Sequence, residues 1–470
     1  MDKNRRRSIR SDASRLDLAA LNYRISSEKL RRYNRQLRSI RGRHPLYQAV
    51  RFVLSAIKQT AVRLFSRTEG PGNGDVVLFH ATLNQRRALE PLAERIPRAV
   101  MLDGISNDVP LADVYRQSLP FIGRTWRERR KSTGYLRETF TAFFDEYIFI
   151  HGYYIVFRRI FADRRYRLAV VANDHAHPAT TFIQAARDSG VPVVYIQHAS
   201  VTGNFPPLTV DIALLEGKDA AEKYDTCGPS ETTVYLVGMP RFDRHAGSVN
   251  RSGRLASLGI CTNALDPHSA VERLATAIRA SFPDMPVTLR PHPSDAGEPW
   301  KTICSRHGLS YSDPAEQSAF GYLGGIDCLV AGNSNILLEA ALLNVTPVLY
   351  DFTGEGIDYY GFAKRGLVDG ILSTPELAVE IITRLSESRP EVRSRTRLYN
   401  AVVSTHWDGK SADLAAKVIR GMLEPHSSVT LAGDVAWTPD TEYTHLRVLR
   451  PADQVSTANS SSTNDSGPMT

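Results

Sequence analysis

Polar residues of the types that do chemistry follow apolar runs at five places in this chain. Each run has the length and composition of a buried strand, so each polar group stands where a strand would end. The five groups are His80, residues 173–178 (Asn-Asp-His-Ala-His-Pro), Gln197-His198, residues 290–293 (Arg-Pro-His-Pro) and residues 332–335 (Gly-Asn-Ser-Asn). Ligands of parallel α/β proteins bind at the carboxyl ends of strands. The pattern therefore predicts one cleft lined by all five groups.

The last two groups indicate a site for a nucleotide with its phosphates. Residues 332–335 lead into an apolar helix, where Ser334 or Asn335 would cap the first turn and free N–H groups would attract a phosphate. Glu339 lies too far along for a capping box, which favours contact with ribose hydroxyls; stabilisation of the helix dipole is the alternative. Prolines on both sides of His292 stiffen the backbone, and its imidazole would stabilise a leaving diphosphate. The expected donor-binding residues are Arg290, His292, Ser334, Asn335 and Glu339.

The groups in the first half of the chain indicate a general base. Asp174 precedes His177, whose backbone is stiffened by Pro178, and His198 stands at the end of the next predicted strand. A carboxylate with nearby imidazoles is suited to proton transfer at neutral pH. We expect Asp174, His177 and His198 to be catalytic and to face the acceptor, with one of them as the base. For each histidine the alternative is a ring that only packs.

The elements that must position these residues are short apolar strands alternating with helical segments. Strands are predicted at 76–79, 168–172, 191–196 and 234–237, and again at 287–289, 328–331 and 347–350. Buried strands with crossover helices indicate parallel sheets, so the predicted fold class is α/β, with two doubly wound Rossmann-like domains facing a cleft. The predicted boundaries are 1–74 for a basic helical extension and linker, 75–245 for the acceptor domain, 246–430 for the donor domain, and 431–470 for a mostly disordered tail.

The basic charge of the chain is concentrated in the extension. Residues 1–67 hold 18 Lys/Arg and 4 Asp/Glu, or +14, so the remainder of a chain with net charge +8 sums to 8 − 14 = −6. Apolar residues recur there at helical spacing: Leu46, Val50, Val53, Leu54, Ile57, Ala61, Leu64 and Phe65. Two readings stay open, a helix packed on the protein's own core and a helix adhering to an anionic membrane. The few aromatic residues near the arginines argue against nucleic acid.

The spacing of the cysteines and the length of the apolar runs indicate in which cellular compartment the protein lies. Its four cysteines are scattered without a CxxC pair, which favours a reducing compartment over a disulfide framework or a zinc site. No apolar run approaches the roughly 20 residues that span a bilayer. The expected location is the cytoplasm, or the inner face of the plasma membrane if the extension adheres to it.

Four stretches carry a resemblance to known families. They read LAVVANDHAHPATTFIQAARDSGVPVVYIQHAS, VGMPRFD, VTLRPHP and LVAGNSNILLEAALLNVTPVLY. Together they resemble the two-Rossmann GT-B architecture, and their order is similar to that in UDP-N-acetylglucosamine 2-epimerases, which would place a glutamate where this chain has His198. The Arg-Pro-His-Pro stretch and the small polar residues before the Glu-Ala helix more closely resemble CDP-glycerol glycerophosphotransferases and capsular sialyl- and polysialyltransferases.

The resemblance implies a function. It is transfer of a sugar or polyol phosphate from a nucleotide-activated donor, CMP- or CDP-linked, onto a glycan or lipid-linked acceptor in capsular polysaccharide synthesis. Such enzymes need no tightly bound metal and no further cofactor. The alternatives are a nucleotide-sugar epimerase or hydrolase and a non-catalytic subunit of a polysaccharide assembly complex.

Overall fold

The computed structural model describes residues 3–32, 34, 44–63, 72–104, 108–424 and 435–452. The strands are β1 (Val76–His80), β2 (Ala99–Asp103), β3 (Leu168–Val171), β4 (Val193–Ile196), β5 (Ile212–Leu215), β6 (Thr233–Leu236), β7 (Leu258–Cys261), β8 (Val287–Arg290), β9 (Ser310–Tyr311), β10 (Cys328–Ala331), β11 (Thr346–Tyr350), β12 (Ile371–Leu372), β13 (Trp437–Asp440) and β14 (Arg447–Pro451). The helices through the first half of the chain are α1 (Lys3–Ala13), α2 (Tyr23–Ser26), α3 (Pro45–Arg63), α4 (Leu83–Ala93), α5 (Leu111–Ser118), α6 (Ile122–Lys131), α7 (Gly134–Ala142), α8 (Phe144–Arg164), α9 (Ala179–Arg187) and α10 (Lys218–Asp225). Those of the second half are α11 (His268–Ser281), α12 (Glu298–His307), α13 (Ala319–Leu323), α14 (Ile336–Leu342), α15 (Pro375–Glu387) and α16 (Ser411–Leu423).

The first sheet has eight strands in the order β13-β14-β6-β5-β4-β3-β1-β2. All neighbours are parallel except β13 and β14, which pair as an antiparallel hairpin. Side chains of β1 alternate between two cores: Val77 and Phe79 enter one, and Val76 and Leu78 enter the other. Because helices cover both faces of a parallel sheet, its strands are continuous apolar runs, which is why the sequence revealed β1, β3 and β4.

The second sheet has six parallel strands in the order β12-β11-β10-β7-β8-β9. Two apolar cores flank it, one beneath α14 and the other beneath α11. Helices thus cover both sheets on both faces, and the predicted fold class of two doubly wound α/β units is confirmed.

The segment after β6 shows why the chain carries the residues Val-Gly-Met-Pro-Arg-Phe-Asp. Gly238 has φ of +81°, and a Cβ there would lie 2.5 Å from Ser411 Oγ and 2.6 Å from Val402 Cγ2. Asp243 accepts hydrogen bonds from the backbone N–H of Ser411 at 3.0 Å and of Ala412 at 2.7 Å, so its carboxylate caps α16. Asp243 therefore ties the segment that connects the two units to the start of α16.

The end of the chain returns to the first unit. The buried side of α16 lies in a core of the first sheet, and the β13–β14 hairpin extends that sheet beside β6. The prediction of a mostly disordered tail over 431–470 is therefore wrong for residues 435–452, where Trp437 packs edge-on against Tyr235 at 4.8 Å. Alternating apolar residues are too few in this hairpin to signal a strand. Residues 425–434 and 453–470 lie outside the described residues.

The first part of the N-terminal extension belongs to the core of the first unit. Ile9, Ala13, Leu21 and Ile25 are buried in it, and the backbone N–H of Arg24 donates to the His175 carbonyl at 2.9 Å. The prediction of an extension separated by a linker is therefore wrong for residues 3–32 and for Asn34. The linker predicted at residues 69–74 is described only from residue 72, and Leu64 and Phe65 also lie outside the described residues.

The two sides of helix α3 differ, because one packs on the first unit and the other faces solvent. Phe52 and Ala56 are buried against the first unit, whereas Leu46, Val50 and Ile57 are exposed. The apolar stripe read from the sequence is thus the solvent side of the helix, and Phe52, which packs, was not part of it. Within the described ranges, none of the helices combines the length and apolar character that crossing a bilayer requires.

Candidate functional site

A carboxylate held by two partners follows β3. Asp174 Oδ1 lies 2.8 Å from His175 Nδ1, and the Tyr224 hydroxyl donates to Asp174 Oδ2 at 2.7 Å. The Tyr224 hydroxyl also contacts the Tyr195 hydroxyl at 3.3 Å, and the His175 ring stacks on Phe205 with centroids 4.0 Å apart. Burial raises the pKa of Tyr224 well above its ordinary value, so the phenol stays protonated and donates. These contacts hold the His175 ring in one orientation against the side chain of Asp174.

The structure separates His177 from this cluster. Its Nδ1 lies 2.9 Å from Thr181 Oγ1, and its ring meets Tyr153 edge-on at 5.1 Å, on the side of the sheet covered by α8. Burial lowers the pKa of His177 to about 3, so the ring is neutral. We therefore correct the assignment of His177 as a catalytic candidate: it packs, and the histidine paired with Asp174 is His175.

Gln197, directly after β4, contacts Glu216, the buried glutamate that directly follows the neighbouring strand β5. The Glu216 backbone N–H donates to Gln197 Oε1 at 2.9 Å, and Gln197 Nε2 reaches Glu216 Oε2 at 3.4 Å. Gln197 Nε2 also donates to the carbonyl of Ala199 at 3.0 Å, which fixes the turn that follows. The amide thus supplies both a donor and an acceptor to backbone and carboxylate groups that would otherwise be buried without partners.

Arg241 joins the two units through carboxylates on each. One guanidinium nitrogen bonds Glu216, and Nε lies 3.5 Å from Glu339 Oε1 on α14. Burial lowers the pKa of Arg241, but the two carboxylates outweigh that effect and raise it, so the guanidinium is charged. Burial raises the pKa of Glu216 against the opposing effect of Arg241. The pair therefore places a buried cation between an acid at the end of β5 and the glutamate predicted to meet a ribose.

A second contact between the units involves Asn335. Its Oδ1 accepts from the Ser200 hydroxyl at 2.6 Å and from the Ser200 backbone N–H at 3.1 Å. Its Nδ2 donates to Glu339 Oε1 at 3.2 Å. Asn335 is therefore not the side-chain cap of α14 that the sequence indicated; Ser334 Oγ makes only a 3.4 Å contact with the Ile336 N–H. Two of the residues expected at the donor site, Asn335 and Glu339, therefore contact each other, and Asn335 also bonds to the loop after β4.

His198 directly follows Gln197 in the loop after β4. Burial lowers its pKa to about 3, helped by repulsion from His175 and Arg241, so the ring is neutral. Its Nδ1 is buried and has no hydrogen-bond partner among the residues that the structure describes. The catalytic role of His198 stays a prediction.

The two basic residues at the end of β8 have different surroundings. Arg290 is buried and donates to Ser312 Oγ at 2.8 Å and to the Gln317 carbonyl at 2.6 Å, so its guanidinium holds the loop after β9. His292 is exposed, and its Nδ1 accepts from the Ser294 backbone N–H at 3.2 Å. Since an accepting Nδ1 carries no proton, the neutral ring carries it on Nε2. Burial lowers the pKa of His292, which keeps this neutral form present at pH 7.

A buried carboxyl group lies beside the loop that enters α14. A Cβ on Gly332 would lie 2.8 Å from Asp266 Oδ2, so only glycine allows this approach. Asp266 also accepts from the Asn263 backbone N–H at 2.8 Å. Burial, with a smaller effect of Asp351, raises the pKa of Asp266 to about 7. The loop 332–335 is therefore placed by a close contact that the sequence pattern did not reveal.

Sequence reasoning missed four residues of this cluster. His175 lies in the same stretch as His177, whose following proline made it the stronger candidate in the sequence. Arg241 lies within Val-Gly-Met-Pro-Arg-Phe-Asp. Glu216 follows the apolar run of β5, which gave the same strand-end signal as the five groups selected. Tyr224 carries no such signal, because it reaches Asp174 from α10, 50 positions along the chain.

No protein-family profile and no curated protein matches the chain. Solved structures do match. A candidate UDP-N-acetylglucosamine 2-epimerase from Listeria monocytogenes aligns with a TM-score of 0.50 at 10% identity, over 76% of this chain and 98% of that one. The UDP-N-acetylglucosamine 2-epimerase from Neisseria meningitidis, bound to UDP-N-acetylglucosamine, gives 0.46 at 11% identity, over 74% and 99%. The wall teichoic acid polymerase TagF gives 0.45 at 11% identity, over 79% and 96%.

The first of these similarities establishes the fold. It covers 98% of the Listeria protein and 76% of this chain. The chain therefore has the GT-B architecture, two Rossmann-like domains that face a cleft, as the sequence resemblance implied. At 10% identity the similarity concerns the fold alone, and the activity has to be argued from the side chains of the site.

The buried charge of Arg241 provides a test of this geometry. Replacing Arg241 by Met leaves Glu216 buried without its cation, so the free energy of unfolding should fall by about 3–5 kcal/mol, measured by chemical denaturation. Adding Glu216→Gln to this variant should restore part of the loss, because the uncompensated carboxylate is then gone. The matched control is Arg244→Met, an exposed arginine three positions along that pairs with Glu94. Equal stability of the Arg241 and Arg244 variants would contradict the bridge.

Proposed function

We propose that the protein transfers a glycosyl or polyol-phosphate group from a nucleotide-activated donor to a hydroxyl of a glycan or lipid-linked acceptor. The observation that carries the proposal is the Asp174–His175 pair at the carboxyl end of β3. A carboxylate that accepts the Nδ1 proton leaves Nε2 as the basic nitrogen of the ring, in the manner of the histidine in an acyl-transfer triad. Such a ring accepts a proton from a hydroxyl nucleophile.

The proposed transfer forms one bond to the transferred group and breaks one. The acceptor hydroxyl oxygen forms a bond to the transferred group, and its proton passes to Nε2 of His175. The bond from the transferred group to the donor phosphate breaks, and its electron pair leaves with the nucleotide. The charge that develops on the leaving phosphate needs a donor of hydrogen bonds, and His292 presents its Nε2–H at an exposed position at the end of β8.

The remaining residues support this division of the cleft. Glu339 and Asn335 lie at the start of α14 in the second domain, in contact with Ser200 and Arg241 of the first. A carboxylate suits a pair of ribose hydroxyls, which each donate a hydrogen bond. Arg241 would hold Glu339 in place for that contact. In this scheme Arg290 acts through the loop it holds, as a positioning residue.

The donor is proposed to be CMP- or CDP-linked, and the reaction to need no metal. The motivation is the sequence resemblance of residues 290–293 and 332–335 to CDP-glycerol and sialyl transferases. In the part of the chain that the structure describes, no three His, Cys, Asp or Glu side chains are grouped to hold a metal ion. The capsular acceptor rests on the same resemblance.

Substituting the proposed base tests the chemistry. His175→Gln keeps a donor toward Asp174 but removes the basic nitrogen, so transfer from a radiolabelled donor should slow by roughly 100-fold or more. The matched control is His177→Gln, two positions along, which keeps a hydrogen bond to Thr181 and should stay within a few-fold of the wild-type rate. Thermal melts of both variants check the fold. A His175→Gln enzyme of normal rate would remove His175 from the mechanism.

The donor assignment has its own test. In a thermal-shift panel, CMP or CDP should raise the melting temperature more than UDP does at equal concentration, since binding to the folded state alone stabilises it. The Glu339→Gln variant should show a smaller shift with every nucleotide, because the ribose contact is weakened. A panel in which UDP gives the largest shift, or in which none shifts, would overturn the proposed donor.

A further inference from the structure

One helix carries most of the exposed apolar surface of the described residues. Nine large hydrophobic side chains of the described residues are exposed. Six of them lie on α3: Leu46, Tyr47, Val50, Val53, Leu54 and Ile57. The other three, Leu83, Leu265 and Leu377, lie on separate parts of the molecule. Single exposed leucines are ordinary on protein surfaces, whereas a contiguous apolar patch marks an interaction site.

The helix is fixed to the first domain by its other side. Phe52 is 3% exposed, and its ring contacts Tyr115 at 4.8 Å and Phe149 at 4.7 Å. Gln48 Nε2 donates to the Thr141 carbonyl at 2.8 Å. At about 100° per residue, the five aliphatic side chains from Leu46 to Ile57 fall within an arc of roughly 100° that points away from Phe52. Leu54 and Ile57 in this arc are 61% and 63% exposed. The apolar face is therefore held rigidly toward solvent.

Basic residues border this face. Lys58 is exposed next to Leu54 and Ile57, and Arg51 on the same helix is half exposed and pairs with Asp145. The sequence of residues 1–67, to which this helix belongs, carries an excess charge of +14. An apolar stripe with a basic border on a rigid helix is the pattern of helices that lie in the plane of an anionic membrane surface.

We propose that the exposed face of α3 docks on an anionic lipid bilayer, with the aliphatic side chains entering the headgroup boundary and the bordering cations meeting lipid phosphates. A bilayer is a better occupant than a second copy of the chain, because the segment that carries the stripe is basic and two such segments facing each other would repel. The inference is independent of the proposed chemistry.

Vesicle co-sedimentation of the full chain tests the proposal. The protein should pellet with vesicles of equal parts phosphatidylglycerol and phosphatidylcholine, and far less with phosphatidylcholine alone. Added salt should weaken binding to the anionic vesicles, because the attraction of the cations is screened over roughly 8 Å at physiological ionic strength. The double variant Leu54→Gln/Ile57→Gln should bind at least about tenfold more weakly, since two side chains no longer favour the apolar boundary.

The matched control is Leu377→Gln, another exposed leucine on a helix, which should bind as the wild type does. All three substituted positions are exposed, so melting temperatures should stay unchanged. Wild-type protein that stays in the supernatant, or a double variant that binds as well as wild type, would overturn the proposal. Sedimentation equilibrium adds one more contradicting outcome: a wild-type dimer that the double variant converts to a monomer would make a second copy the occupant.

Discussion

The buried guanidinium of Arg241 is the interaction on which the arrangement of the site depends. A cation taken out of water has to meet carboxylates, and it meets Glu216 at the end of β5 and Glu339 on α14. These acids belong to different domains, so the charge pairing fixes how the two carboxyl edges face each other. Gln197 holds the first acid, and Asn335 contacts the second while accepting from Ser200. The polar chain that results runs from one sheet to the other without an apolar break.

This network also explains the position of the proposed catalytic pair. His198 follows Gln197 directly and lies in the turn that Gln197 fixes, and its ring is neutral. Asp174 is held in turn by Tyr224 and orients His175. A proton acceptor is therefore supported by residues on three separate elements, which is what a rigid catalytic group requires. Glu339, which is proposed to meet the donor, lies at the other end of the Arg241 bridge and contacts Asn335.

The sequence predicted the fold class and seven of the fourteen strands of the described residues, because continuous apolar runs with crossover helices admit few other folds. It predicted the positions of functional residues less well, for identifiable reasons. The sequence does not show which of His175 and His177 meets Asp174, because that depends on the path of the chain after β3. In the structure the His177 ring contacts Tyr153 and Thr181 instead. The partners Glu216 and Arg241 meet only in the folded chain. On α3, the stripe with the stronger aliphatic pattern is the exposed side, and the single ring of Phe52 provides the packing.

Turnover of nucleotide-activated donors with and without an acceptor, followed by mass spectrometry of donor and glycan, distinguishes transfer from epimerisation and hydrolysis. We expect that CMP- or CDP-linked donor is consumed only when a glycan or lipid-linked acceptor is present, with one transferred group gained by the acceptor for each nucleotide released. Conversion of a nucleotide-sugar to its epimer or to free sugar in the absence of any acceptor would contradict it. That result would make the protein an epimerase or hydrolase built on the same fold.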